Sequence, residues 1–84
     1  MRYKIELSKK VKKFLANHDL ISRQFYDKIF YLANNDSKNL DIKKLSGEVH
    51  KYRLRIGKYR FLYEIIDEKI LIFFYDANSR GDIY

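Results

Sequence analysis

Between residues 51 and 66 the chain reads KYRLRIGKYRFLYEII, two strand-forming runs separated by Gly57 and Lys58 alone. A two-residue joint between β-branched, aromatic and aliphatic runs is the strongest local signal for an antiparallel hairpin. A second short joint, Asp67-Glu68, leads into KILIFFY. The second half of the chain is therefore expected to form an antiparallel meander, with strands at about residues 49 to 57, 59 to 66 and 69 to 75.

The first half has two other periods. In RYKIELS, Tyr3, Ile5 and Leu7 alternate with Arg2, Lys4 and Glu6, the pattern of a strand with one buried face. Ser8 then supplies an N-cap oxygen for a short helix that places Val11, Phe14 and Leu15 on one side and Lys9, Lys10, Lys12 and Lys13 on the other. A longer helix, capped by Ser22 with Ile21 as a staple, carries Phe25, Ile29, Leu32 and Ala33 on its buried face and stops at NNDSKN. IKKLSG reads as a polar connection in which Ile42 and Leu45 are buried, and Gly47 permits a turn. The expected fold is α+β in the order β-α-α-β-β-β: a small antiparallel sheet with two helices packed on one face. Two helices of this size cannot cover both faces of four strands, so the other face is left to solvent.

Length and composition bound what such a fold can be. Eighty-four residues, 46% of them hydrophobic, suffice for one core, so residues 1 to 84 are expected to form a single domain. The chain has no cysteine, which excludes disulfides and thiolate chemistry, and no apolar run long enough to cross a membrane, so a cytoplasmic protein is expected. Its formal charge of +7 draws it toward polyanions.

The strand period then sorts the charge. With Tyr52, Leu54 and Ile56 turned to the helices, Arg53 and Arg55 project to the open face. Arg60 is undecided at this level, because its strand is apolar at both parities and its face depends on hairpin register. Between residues 43 and 60 stand seven basic residues, Lys43, Lys44, Lys51, Arg53, Arg55, Lys58 and Arg60, against one acid, Glu48. Interleaved with Tyr52, Tyr59 and Tyr63, they suit RNA, because guanidinium forks grip phosphate and rings stack on unpaired bases. A solvated face that keeps an edge strand soluble is the other reading of the same residues.

The tail DANSRGDIY is rich in turn formers, which puts Arg80 and Tyr84 on an irregular segment after the last strand, with Tyr84 either exposed or closing the core. His18 and His50 lie in different segments without metal-ligand spacing, so no metal site is expected. His50 stands near the arginines in sequence and is either inert or a proton carrier. Three glycines cannot build a phosphate-binding loop.

Taken in order, LSG, YRLR, G-YR-LYEI and R-D-Y resemble the RelE/ParE toxin superfamily of type II toxin-antitoxin pairs, most specifically from about residue 43 to 84. The resemblance implies the same small sheet with two helices on one side. For the RelE-like branch it implies a metal-independent, cofactor-free endoribonuclease that cuts messenger RNA in the ribosome. It further implies a cognate antitoxin as partner. By order, the catalytic surface implied by the family falls on Arg53, Arg55, Arg60, Arg80 and Tyr84: Arg60, Arg80 and Tyr84 are expected to be catalytic and Arg53 and Arg55 to bind RNA, with Lys43, Lys44, Lys51 and Lys58 of the basic run expected to bind RNA beside them. Relatives often have lysine where this chain has Arg53 and Arg55. Arginine does not release its proton near neutral pH, so neither can be a general base. A ParE-like inhibitor of DNA gyrase, and an RNA-binding or inactivated homologue, share the fold and stand as the alternatives.

Overall fold

The computed structural model describes residues 2–79. Its elements run β1 (Lys4–Leu7), α1 (Lys9–Ala16), α2 (Asp19–Ala33), β2 (Asp41–Lys44), β3 (Lys51–Ile56), β4 (Tyr59–Ile66), a 3-10 turn (Asp67–Lys69) and β5 (Leu71–Ser79). The strands form one sheet in the order β1-β5-β4-β3-β2. The α+β class, the element order and the meander match the sequence reading. The sheet gains a fifth strand, since DIKK, expected as a connection, pairs antiparallel with β3 as an edge. It is also mixed: β1 pairs with β5 in parallel, Ile5 beside Ile72 and Leu7 beside Phe74. The helices carry the chain from one edge of the sheet to the other, and three reversals bring β5 back alongside β1 in the same direction.

Helix starts follow capping chemistry in one case only. Ser8 caps α1, its hydroxyl accepting from the Val11 amide at 3.2 Å. The second helix begins at Asp19, ahead of the expected Ser22 cap, and His18 takes the N-cap position without a side-chain cap bond. The His18 ring is held elsewhere, stacked on Phe14 with ring centroids 4.0 Å apart and Nδ1 2.7 Å from the Phe14 carbonyl oxygen. Asp19 in the first turn complements the helix dipole, which favours the earlier start.

The core lies between the helices and one face of the sheet. Val11, Leu15, Phe25, Ile29 and Leu32 meet Leu54, Ile56, Phe61, Tyr63, Ile72, Phe74 and Ala77. Phe25 sits at its centre, its ring 4.6 Å from Phe61 and 5.0 Å from Phe74. Truncating such a ring costs about 3 to 5 kcal/mol, a large fraction of the total stability of a domain this size. Every sheet residue in this set has the same parity, so the opposite parity is free of helices.

Two backbone features position the open face. The hairpin between β3 and β4 closes through Gly57 and Lys58 with Ile56 opposite Tyr59, and Gly57 takes φ +60°, the sign that a two-residue hairpin asks of its first central residue. Between β4 and β5 the register slips by one at Leu62/Tyr63, with Leu62 opposite Asp76 and Tyr63 opposite Phe74, so Tyr75 is the extra residue of a bulge. The last strand also runs further than the turn-rich tail suggested, through Asn78 and Ser79, because both continue the ladder with β4.

Candidate nucleic-acid interface

Hairpin register settles the face of Arg60. The pairs Ile56–Tyr59, Arg55–Arg60, Leu54–Phe61 and Arg53–Leu62 put Arg60 directly opposite Arg55, on the side away from the helices. Cα atoms of opposed residues lie about 5 Å apart, and Arg53 and Arg55 about 7 Å apart along their strand. Three arginines from two strands therefore emerge from a patch smaller than a single nucleotide. Arg60 is 6% exposed and forms the floor of this patch. Across the sheet, one row runs Asp41, Arg55, Arg60, Asn78 and the next Lys43, Arg53, Leu62, Asp76.

Sequence reading missed Asp41, which organises the two outer arginines. Its Oδ1 accepts a hydrogen bond from Arg53 Nη2 at 2.8 Å, and its Oδ2 forms an ion pair with Arg55, 2.8 Å from Nε. The signal was absent because four residues of DIKK show no readable period. Arg53 is the more enclosed of the pair, its side chain 15% exposed, and its Nε is buried without a hydrogen-bond acceptor among the described residues.

The lysines divide. Lys43 pairs with Arg53 and shares its face, exposed at the edge. Lys44 pairs with Tyr52 and so has the parity of the helix-facing side. Lys58 leaves the hairpin turn over the Tyr59 ring, 5.6 Å from its centroid, and Tyr59 packs edge-on against Phe14, so Lys58 also stands apart from the arginines. Lys51 shares the open face but is engaged there: its Nζ lies 3.3 Å from Glu48 and 5.6 Å from the Tyr75 ring centroid. The hydrogen bond and charge of Glu48 raise the Lys51 pKa above its ordinary value. Asp76, at the other end of the Arg53 row, is bound by Lys10 of α1 at 2.8 Å. The open face is thus less positive than the sequence count suggested.

Among the described residues, proton carriers near the arginine patch are few. His50 precedes β3, three residues from Arg53 and five from Arg55, about 10 and 17 Å along an extended strand. Burial raises the Tyr75 phenol pKa, with the Lys51 charge opposing it, so this hydroxyl stays protonated at neutral pH and donates rather than abstracts. Arg80 and Tyr84 lie outside the described residues. Among the described residues no three His, Cys, Asp or Glu side chains gather as metal ligands, and no helix is long and apolar enough to cross a membrane.

Comparison with known proteins gives the following. No protein-family model matches the chain. A RelE1 protein of Methanocaldococcus jannaschii, named as a toxin, is 34% identical over 76 residues, covering 86% of this chain and 84% of the relative. In the solved RelB-RelE antitoxin-toxin complex from Methanococcus jannaschii, a chain superposes with TM-score 0.76 at 28% identity, over 94% of each chain. A chain of the archaeal RelE-RelB complex from Pyrococcus horikoshii gives TM-score 0.75 at 27% identity, covering 96% of this chain and 98% of its own.

Proposed function

The chain belongs to the RelE family of toxins, and from that premise we propose that it is the toxin of a type II toxin-antitoxin pair, a metal-independent endoribonuclease that blocks translation by cutting messenger RNA held in the ribosome. The observation that carries this reading is the convergence of Arg53, Arg55 and Arg60 on the helix-free face. A phosphodiester undergoing attack by its own 2′-hydroxyl concentrates charge on the phosphate oxygens. Guanidinium donors fixed in advance stabilise that charge without reorganising, at roughly 3 to 4 kcal/mol for a well-aimed donor.

In the proposed step the 2′-oxygen bonds to phosphorus as the bond to the 5′-oxygen breaks, leaving a 2′,3′-cyclic phosphate and a 5′-hydroxyl. Arg60, on the floor of the patch, grips the scissile phosphate together with Arg80, while Arg53 and Arg55 hold flanking phosphates. Tyr84, as a phenolate favoured by the guanidinium charge, takes the 2′-hydroxyl proton, and solvent water protonates the departing 5′-oxygen. Asn78 stands opposite Arg60, and the last described strand ends one residue later, at Ser79. The ribosome contributes the extended, in-line RNA geometry.

The partner in this reading is an antitoxin whose acidic and apolar segment covers the same face and orders on binding. The grip of Asp41 on two arginines is an example, within this chain, of what an antitoxin carboxylate would do there. End-mapping of a translated messenger after adding purified protein tests the activity: cuts within the ribosomal A site, with 5′-hydroxyl ends, are expected. Intact messenger together with inhibited gyrase supercoiling would replace this reading by the ParE-like one. Salt-sensitive RNA binding with no cuts on translating ribosomes would leave an RNA-binding homologue.

A further inference from the structure

We propose that Asp41 is a positioning residue for the arginine patch, orienting the guanidinium groups of Arg53 and Arg55 so that their remaining N–H donors meet one stretch of RNA backbone. This deepens the reading of the open face as an RNA-cleaving surface and rests on it.

Strand pairing puts Asp41 beside Arg55, its direct partner on β3, and diagonal to Arg53 on the same face. Each carboxylate oxygen takes one guanidinium, Oδ1 at 2.8 Å from Arg53 Nη2 and Oδ2 at 2.8 Å from Arg55 Nε. Arginine has five N–H donors in a fixed plane, so anchoring one of them sets the direction of the other four. An unanchored arginine turns about its long stem and loses that freedom only when substrate binds, which weakens the transition-state contact. The anchor also lowers the mutual repulsion of three guanidinium groups crowded onto two strands.

A salt bridge serving only to keep an edge strand soluble would not need both of its oxygens committed to neighbouring arginines. Asp41 is 44% exposed in its side chain, so its contribution to folding is small and its effect is read in orientation.

The test compares the wild type with Asp41→Asn and Asp41→Glu, as full-length protein. In nuclear magnetic resonance spectra, the Arg55 Nε–Hε signal of the wild type is expected to be displaced and slow to exchange with water. Asp41→Asn should merge it with the signals of freely exposed arginines, and Asp41→Glu should recover part of the displacement. Signals unchanged by Asp41→Asn overturn the proposal, whether or not the protein cuts RNA. On translating ribosomes, Asp41→Asn should lower kcat by about 100-fold, the cost of a misplaced catalytic group. Its KM should be unchanged or lower, because a negative charge has left the binding face. Faster cutting by Asp41→Asn would instead make the carboxylate a competitor of phosphate and overturn the positioning role. A wild type that cuts nothing removes the ribonuclease reading, and the arginine signals then decide the orientation claim alone.

Discussion

Arg55 and Arg60 stand directly opposite one another on β3 and β4, two like charges in cross-strand register, the second 6% exposed. Opposed like charges weaken a sheet by several tenths of a kcal/mol or more. On the Arg55 side the cost is offset by Asp41, whose Oδ2 lies 2.8 Å from Nε. Arg60→Lys keeps the charge and removes the planar fork. Cleavage on ribosomes should fall at least about 100-fold, the effect of losing one aimed donor, while the thermal midpoint moves by only a few degrees. Cutting at wild-type rate by the lysine variant would take Arg60 out of the catalytic group.

Arg53 should trade stability against function. Its buried Nε has no acceptor among the described residues, and such a donor costs about 1 to 3 kcal/mol. Its contact with the half-exposed Asp41 returns less than about 1 kcal/mol. Arg53→Met keeps the apolar stem, so urea unfolding should show equal or greater stability, by up to about 1 kcal/mol, in a protein that cleaves poorly. A variant clearly less stable than the wild type would mean that the guanidinium holds the fold.

The lysines give a test of facing. RNA affinity should fall with salt, and Lys43→Ala should reduce the slope of that dependence by about 0.7 for the one phosphate contact removed. Lys44→Ala and Lys58→Ala should leave the slope as it is, since these residues stand on the other parity and over Tyr59. Three equal effects would show that RNA follows overall charge and not this face.

At alkaline pH the core itself should titrate. Burial raises the Tyr63 pKa well above the ordinary phenol value, the neighbouring Tyr52 adding to the shift. The folded state therefore holds its proton where the unfolded chain, with a pKa near ~10, has released it. Stability is pH-independent on this account below about pH 10 and falls by up to about 1.4 kcal/mol per pH unit above it. Tyr63→Phe should match the wild type near neutrality and lose stability less steeply above pH 10. Parallel curves for the two proteins would assign the alkaline loss to other groups.

Gly57 holds the register on which the patch depends. At φ +60° with no neighbouring atom within 4 Å of an added Cβ, Gly57→Ala meets no clash, only the conformational penalty of a left-handed backbone. That penalty is about 1 kcal/mol, and Gly57→Asn should cost less. Equal stability of all three chains would mean the turn adopts another geometry.

Much of the fold was legible because its signals are local. The hairpin joint, the period-two runs and the spacing of Phe25, Ile29 and Leu32 each report on neighbours in sequence, and the buried faces followed from them. Boundaries were less legible: α2 starts at Asp19 because a ring stack and a dipole outweigh the Ser22 cap, and β5 absorbs Asn78 and Ser79 because ladder pairing outweighs turn propensity. The short β2 strand has no pattern of its own and forms only because β3 offers it an edge.

For the site, residue types alone determined that Arg53 and Arg55 share a face and that the chain carries excess positive charge. Strand periodicity reaches no further than the strand. Which side Arg60 takes, which lysines accompany it, and that Asp41 clasps two of the arginines are all cross-strand facts. They depend on register and on one edge pairing, and a slip of a single residue would have turned Arg60 into the core and Phe61 out to solvent.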